Sequence, residues 1–228
     1  MRIRTGVVVG SAVLGGAVVI TLLGTTLSLA SEHAPELRAT VNGTVDTPQG
    51  MLPHAFLNLA TYPDSMAGEH GPNGGVHPDW VSYGPTTNLE VPAHSEVTVT
   101  IDQYDSGGTI YNSYFANAHG TVGGTETVNG KAVTGINPNN VGHTFTLHMF
   151  PNSTQPDLFV SVALPAVAAN APTEANGYQK PNVVTFSFIT GAPGQYIWNC
   201  EFPCGTTYQS FGGPMSTKGY MSGTLQVG

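Results

Sequence analysis

Charge is scarce in this chain. Only 9% of its residues are Asp, Glu, Lys or Arg, and just six of them are basic. Long solvent-facing helices need Lys and Glu on their outer face, so this shortage disfavours a helical protein. The 29 Gly and 17 Pro point the same way, toward strands, turns and long loops. The polar surface must then be built from Thr, Ser, Asn and Gln. The formal net charge is −8, and a surface of that sign repels phosphate backbones, which argues against nucleic acid as a partner. Cysteine is nearly absent, with two residues, Cys200 and Cys204. No phosphate loop, dinucleotide fingerprint or Gly-x-Ser-x-Gly nucleophile motif occurs, and no enzymatic constellation stands out.

Long apolar runs are missing too, with one exception. Arg2 and Arg4 form a short basic start, and an almost unbroken apolar run follows from Val7 to Leu23. Ser28-Leu29-Ala30 has the small-x-small pattern of a cleavage site. The pattern predicts export, with residues 1–30 acting as a signal peptide or, since the run just reaches spanning length, as an uncleaved membrane anchor. Either way the basic end stays inside and residues 31–228 lie outside, in a periplasmic or extracellular setting. That compartment is oxidising.

After the leader, residues 31–88 read as a loop-rich extension, with LRATVNGTV as a candidate strand and HAFLNLATY as an ambiguous apolar segment. The regular part spans 89–228. In LEVPAHSEVTVTI, Val97, Val99 and Ile101 alternate with Thr98 and Thr100, and Pro92–Ser95 makes a turn between two strand pieces. A Gly-, Asn- and Thr-rich insertion covers roughly 105–140. GHTFTLHMF alternates again, with His143, Phe145 and Leu147 on one face and His148 on the other. DLFVSVALP, VVTFSFIT, QYIWNC and YMSGTLQVG complete a run of short strands separated by turn chemistry. Such a run predicts an all-β sandwich or barrel of about 200 residues, enough for one sizeable core.

Four of these segments, in order, resemble the cupredoxins. NNVGHTFTLH resembles the family's mid-chain strand that opens on a copper-ligand His, with His143 in the ligand position. GAPGQYIWNCEFPCG resembles the strand that leads through alternating aromatics to a ligand Cys, with Tyr196, Trp198 and Cys200 on one face. YMSGTLQV resembles the final strand that carries the axial Met, here Met221. LEVPAHSEVTVTI resembles the paired strands before the His strand. Within the family, the two cysteines four apart, Cys200 and Cys204, look like the dinuclear CuA domain of cytochrome oxidase subunit II. The resemblance implies a Greek-key β-sandwich with copper held by His143, Cys200, Cys204 and Met221. A thiolate, imidazole and thioether set suits copper in either redox state.

One ligand of the pattern has no counterpart. The family places a second His shortly after the second Cys, whereas the last His of this chain is His148. Tyr208 stands four residues after Cys204, and Lys218 three before Met221. His54, His70, His77, His94, His119 or Met215 are candidate replacements. Read without the resemblance, two cysteines in an exported protein form a disulfide, His143 is a hydrogen-bonded core residue and Met221 is core. The expected function is copper binding for electron transfer or copper handling. The alternatives are a copper-free binding module with a Cys200–Cys204 disulfide, or a subunit II-like component of a respiratory oxidase. The expected partner is a basic redox protein or a respiratory complex, with a membrane contact through the N-terminal segment if it is not cleaved.

Overall fold

A computed structural model describes residues 36–66, 80–151, 154, 157–175, 177–205 and 211–228. The signal or anchor segment, His70, His77 and Tyr208 lie outside the described residues. Thirteen strands form two sheets: β1 Glu36–Arg38, β2 Thr40–Thr47, β3 Gly50–Tyr62, β4 Ser82–Gly84, β5 Asn88–Val91, β6 Glu96–Gln103, β7 Glu126–Val128, β8 Lys131–Val133, β9 Val141–Met149, β10 Val160–Pro165, β11 Asn182–Ile189, β12 Gly194–Asn199 and β13 Ser222–Val227. The first sheet runs β1-β5-β13-β12-β9-β10, and the second β2-β3-β6-β11-β7-β8 with β4 on β3. Single 3-10 turns at Asp64–Met66, Ser113–Ala116, Val122–Gly124 and Gly213–Met215 are the helical content of the described residues. No helix among the described residues is long and apolar enough to cross a membrane.

The all-β, two-sheet sandwich follows from period-two patterning. Val97, Val99 and Ile101 on β6 and Val184, Phe186 and Phe188 on β11 are turned inward. They meet Phe145, Leu147, Tyr196, Trp198 and Leu225 from the first sheet in one core. Trp198 is fully buried, with its ring stacked on Phe145 at 5.0 Å and Tyr83 edge-on at 4.8 Å. Its Nε1–H donates to the Thr87 carbonyl at 3.0 Å, which satisfies the one polar atom of the indole. Consecutive strands change sheets at the Pro92–Ser95 turn, between β5 and β6, and again between β11 and β12.

The extension ahead of residue 89 contributes strands as well as loops. HAFLNLATY belongs to β3, a 13-residue strand that pairs with β6 in parallel from His54↔Glu96 to Thr61↔Gln103. Its period-two signal is carried by the buried Ala55, Leu57 and Leu59, and is blurred by Phe56 and Ala60 on the opposite phase.

The insertion at 105–140 lies against the first sheet along β10 and at the start of β9. Both faces of β9 are buried from Val141 to Leu147. The Ser113–Ala116 turn packs on β10. His119 exchanges two backbone hydrogen bonds with Ser161, at 2.8 and 3.0 Å, along the free edge of β10. Beneath this cover Thr144, Thr146 and Ser161 link their hydroxyls at 3.1 and 3.0 Å, so buried polar groups on this face are paired. The insertion also supplies β7 and β8, which extend the second sheet from β11. The other edges are short or irregular: β1 and β8 have three residues each, and β2 carries a bulge between Val41 and Thr44.

Candidate metal centre

β9 and β12 run antiparallel, with Asn199 opposite Thr146. The start of β9 and the end of β12 therefore lie at the same end of the sandwich. That places His143, the third residue of β9, beside Cys200, the residue after β12. The Cys200 N–H donates to the Met221 carbonyl at 2.9 Å, which ties β12 to the start of β13. The Glu201–Pro203 turn then brings Cys204 back over the same end. Its geometry is held by the Glu201 N–H, which donates to Thr144 Oγ1 at 2.7 Å.

Three donor atoms converge. His143 Nδ1 lies 3.0 Å from Cys204 Sγ and 3.8 Å from Cys200 Sγ, and the two sulfurs are 3.6 Å apart. Among the described residues this is the one group of three or more His, Cys, Asp or Glu side chains able to hold a metal ion, with ligand atoms all within 4.8 Å. Both cysteines are free thiols, well beyond the roughly 2.05 Å of a disulfide. Cys200 and His143 are buried, while Cys204 is partly exposed. Cys204 and His143 line a cavity of about 330 Å³ that opens to solvent past Asp64, Asp105 and Phe202.

The electrostatics follow from burial opposed by close partners. Burial alone lowers the pKa of His143, but hydrogen bonds to Asp105 and Cys200, and the charges of both, bring it up to about 9. Burial raises the Cys200 thiol. The Cys204 and His143 hydrogen bonds, the imidazolium charge and the Thr144 N–H at 3.3 Å outweigh it and hold Cys200 well below the usual thiol range. Burial and the neighbouring Cys200 charge push Cys204 well above that range. Nδ1 is nearer to Cys204, yet the Cys204 hydrogen bond and the His143 contacts, with the Thr144 N–H added to them, favour the negative charge on Cys200. The metal-free site is thus an imidazolium–thiolate pair with a thiol beside it. A single bound cation would replace the imidazolium proton and the remaining thiol proton.

Two residues at this end were not singled out from the sequence. Asp105 Oδ2 accepts from His143 Nε2–H at 3.1 Å, on the ring nitrogen facing away from the sulfurs. Tyr83 donates its O–H to the Thr144 carbonyl at 2.9 Å, and its ring centroid is 6.2 Å from that of His143. Burial, then the charges of Cys200 and Cys204, push the Tyr83 hydroxyl well above its ordinary value.

No protein-family model matches the chain, and no curated protein does. Among solved structures the chain is similar to auracyanin B, with 15% identity over 83% of this chain and 97% of that one, at a TM-score of 0.34. It is also similar to a rusticyanin variant, at 17% identity over 77% of this chain and 78% of that one, with a TM-score of 0.32. A multicopper oxidase shares 10% identity over 77% of this chain and 44% of that one, at 0.27.

The other candidates fall elsewhere. Met221 is fully buried in the core next to Cys200 and meets it through the backbone. Met215 packs partly buried against the same core. His54 is bonded to Thr98 at 2.8 Å on β3. His94 bonds Gly191 at the opposite end of β6 from the site. His119 is stacked on Tyr114 at 3.8 Å and bonded to its carbonyl. His148 lies 2.9 Å from Asn199 Oδ1 on the other face of β9. None of these four histidines joins the three-donor group.

Proposed function

We propose that this chain is an exported copper protein of cupredoxin type, with His143, Cys200, Cys204 and Met221 holding the metal for electron transfer. The observation that supports this reading is the convergence of one imidazole nitrogen and two free thiols within 4.8 Å at one end of a rigid sandwich. The donor set fits the metal chemically, since soft thiolates with an imidazole favour copper in either oxidation state. Bound copper would supply one-electron exchange. The protein's part is to present donors that need not move when the charge of the site changes. Nδ1 of His143 is held by the ring's position on β9, Cys200 Sγ by the Thr144 N–H, and Cys204 Sγ by the short turn after β12. Asp105 touches the far nitrogen of the ring, so it does not take the place of the missing second His. The fourth position falls to Met221, or to a molecule entering through the cavity beside Cys204. The net charge of −8 suits a basic redox partner.

Metal analysis with a visible spectrum and a thiol titration tests this. The expected result is two free thiols in the metal-free protein, and bound copper with a thiolate-to-copper absorption band that disappears in Cys200→Ser and His143→Ala. Finding no free thiols and no copper after reconstitution under reducing conditions would leave a disulfide-bonded module instead. Tight zinc binding without copper would identify a different metal protein.

A further inference from the structure

Asp105 is the best-fixed carboxylate near the site. Its segment leaves β6 and is stitched back onto the start of β9. Gly108 and Val141 exchange two backbone hydrogen bonds of 2.9 Å each, and Val167 N–H donates to the Asp105 carbonyl at 2.9 Å. The buried Gln103 side chain grips the same residue from both sides. Its Oε1 accepts from Asp105 N–H at 3.2 Å, and its Nε2 donates to the Asp105 carbonyl at 3.0 Å. Thr61 Oγ1 bonds the same Gln103 oxygen. This close approach needs two glycines. A Cβ at Gly107 would collide with the Val141 carbonyl, and one at Gly142 with the Gln103 amide.

The carboxylate itself has one orientation. Oδ1 accepts from the Ser106 N–H at 2.7 Å, and Oδ2 accepts from His143 Nε2–H at 3.1 Å. The carboxylate sits on the Nε2 side of the ring and the sulfurs on the Nδ1 side, so the ring proton shared with Asp105 belongs on Nε2. Nδ1 is then the nitrogen left to offer a lone pair, and it is the one that points to the sulfurs.

We infer that Asp105 is the positioning residue of the site: it fixes the ring plane and the tautomer of His143 so that Nδ1 faces Cys200 and Cys204. This rests on the reading of His143 as a metal ligand. Partners of this kind raise ligand basicity and hold the ring, and losing one costs about 10–100-fold in metal affinity. Asp64 lines the same cavity without bonding His143, so it separates orientation from the general negative field.

The experiment compares wild type, Asp105→Ala and Asp64→Ala as full chains. Copper(I) affinity is read by competition with a chromophoric chelator, and exchange of the His143 Nε2–H with solvent is read by NMR in the metal-free protein. Asp105→Ala is expected to lose about 10–100-fold in affinity, and its Nε2–H to exchange fast. Asp64→Ala is expected to stay within about threefold of wild type, well short of that loss, and to keep a slowly exchanging proton. If Asp105→Ala does not fold, Asp105→Asn takes its place. It retains the backbone bonds of the segment, offers a single acceptor oxygen to two N–H donors, and should lose affinity as well. Wild-type affinity in the Asp105 variant overturns the assignment, and so does equal exchange in wild type and variant. If wild type binds no copper, the ligand reading fails, and the exchange measurement alone decides whether Asp105 holds the ring.

Discussion

Glu126 should make this protein less stable as pH rises through neutrality. By the register Val184↔Val128 and Thr185↔Thr127, Glu126 lies beside Phe186, whose ring is in the core, so the carboxyl is turned inward. It is 2% exposed, and neither oxygen has a hydrogen-bond partner among the described residues. Burial raises its pKa from 4.5 to about 8. The folded state therefore keeps a proton that the unfolded chain has already released. The cost is absent below pH 4.5, accumulates between 4.5 and 8, and is complete above 8. At about 1.36 kcal/mol per pH unit, the full cost is about 5 kcal/mol, with about 3 kcal/mol reached at pH 7. Between pH 5 and pH 7 this one group removes about 2–3 kcal/mol, roughly 5–10 °C in Tm for a chain of this size. Glu126→Gln keeps the shape and cannot ionise. Urea unfolding of both proteins at pH 5, 6, 7 and 8 isolates the group by difference, since every other titration is shared. The two should agree within about 1 kcal/mol at pH 5, and the variant should lead by a growing margin above it. Parallel curves from pH 5 to 8 would refute the argument, because they would mean that the carboxyl has a partner or water that stabilises its charge.

Further outcomes can be checked alongside. Trp198→Ala should cost about 3–5 kcal/mol in urea unfolding, since it empties the space between Tyr83 and Phe145. Gly142→Ala should reduce copper affinity, measured by chelator competition, although it removes no ligand, because the new methyl displaces the Gln103 amide that grips Asp105. Met221→Leu should leave unfolding nearly unchanged, within about 1.5 kcal/mol, while shifting the absorption spectrum of the copper-loaded protein. Its carbonyl contact to Cys200 survives the change.

How much of this was legible beforehand depends on the range of the interaction. His143 and Cys200 each sit on a clean period-two strand, and antiparallel pairing of those strands is enough to bring their ends together. Cys204 follows within four residues, so its place needs no tertiary information. Asp105 is different. It reaches His143 from a loop 38 residues away in the chain, through a side-chain grip by Gln103 and two glycine contacts that carry no local pattern. Tyr83 likewise comes from a segment with few strand residues around it, and its packing on Trp198 and hydrogen bond to the Thr144 carbonyl mark it only once the chain is folded. β3 was ambiguous for a simpler reason. A strand with Phe56 and Ala60 set among His54 and Asn58 on one phase, and Ala55, Leu57 and Leu59 on the other, shows no uniformly polar face.

The covered edge of β10 has a consequence for how other molecules can meet this one. An open strand edge is a template on which another chain can add a strand, and such addition underlies both peptide docking and fibre growth. Here His119 already occupies the backbone groups of Ser161. At the remaining edges β1, β4 and β8 are too short to template a strand, and β2 is interrupted by its bulge. Among the described residues the backbone offers no long, flat rail to a second polypeptide. Recognition at these edges therefore passes through side chains, whose contacts are smaller and quicker to break than a shared sheet.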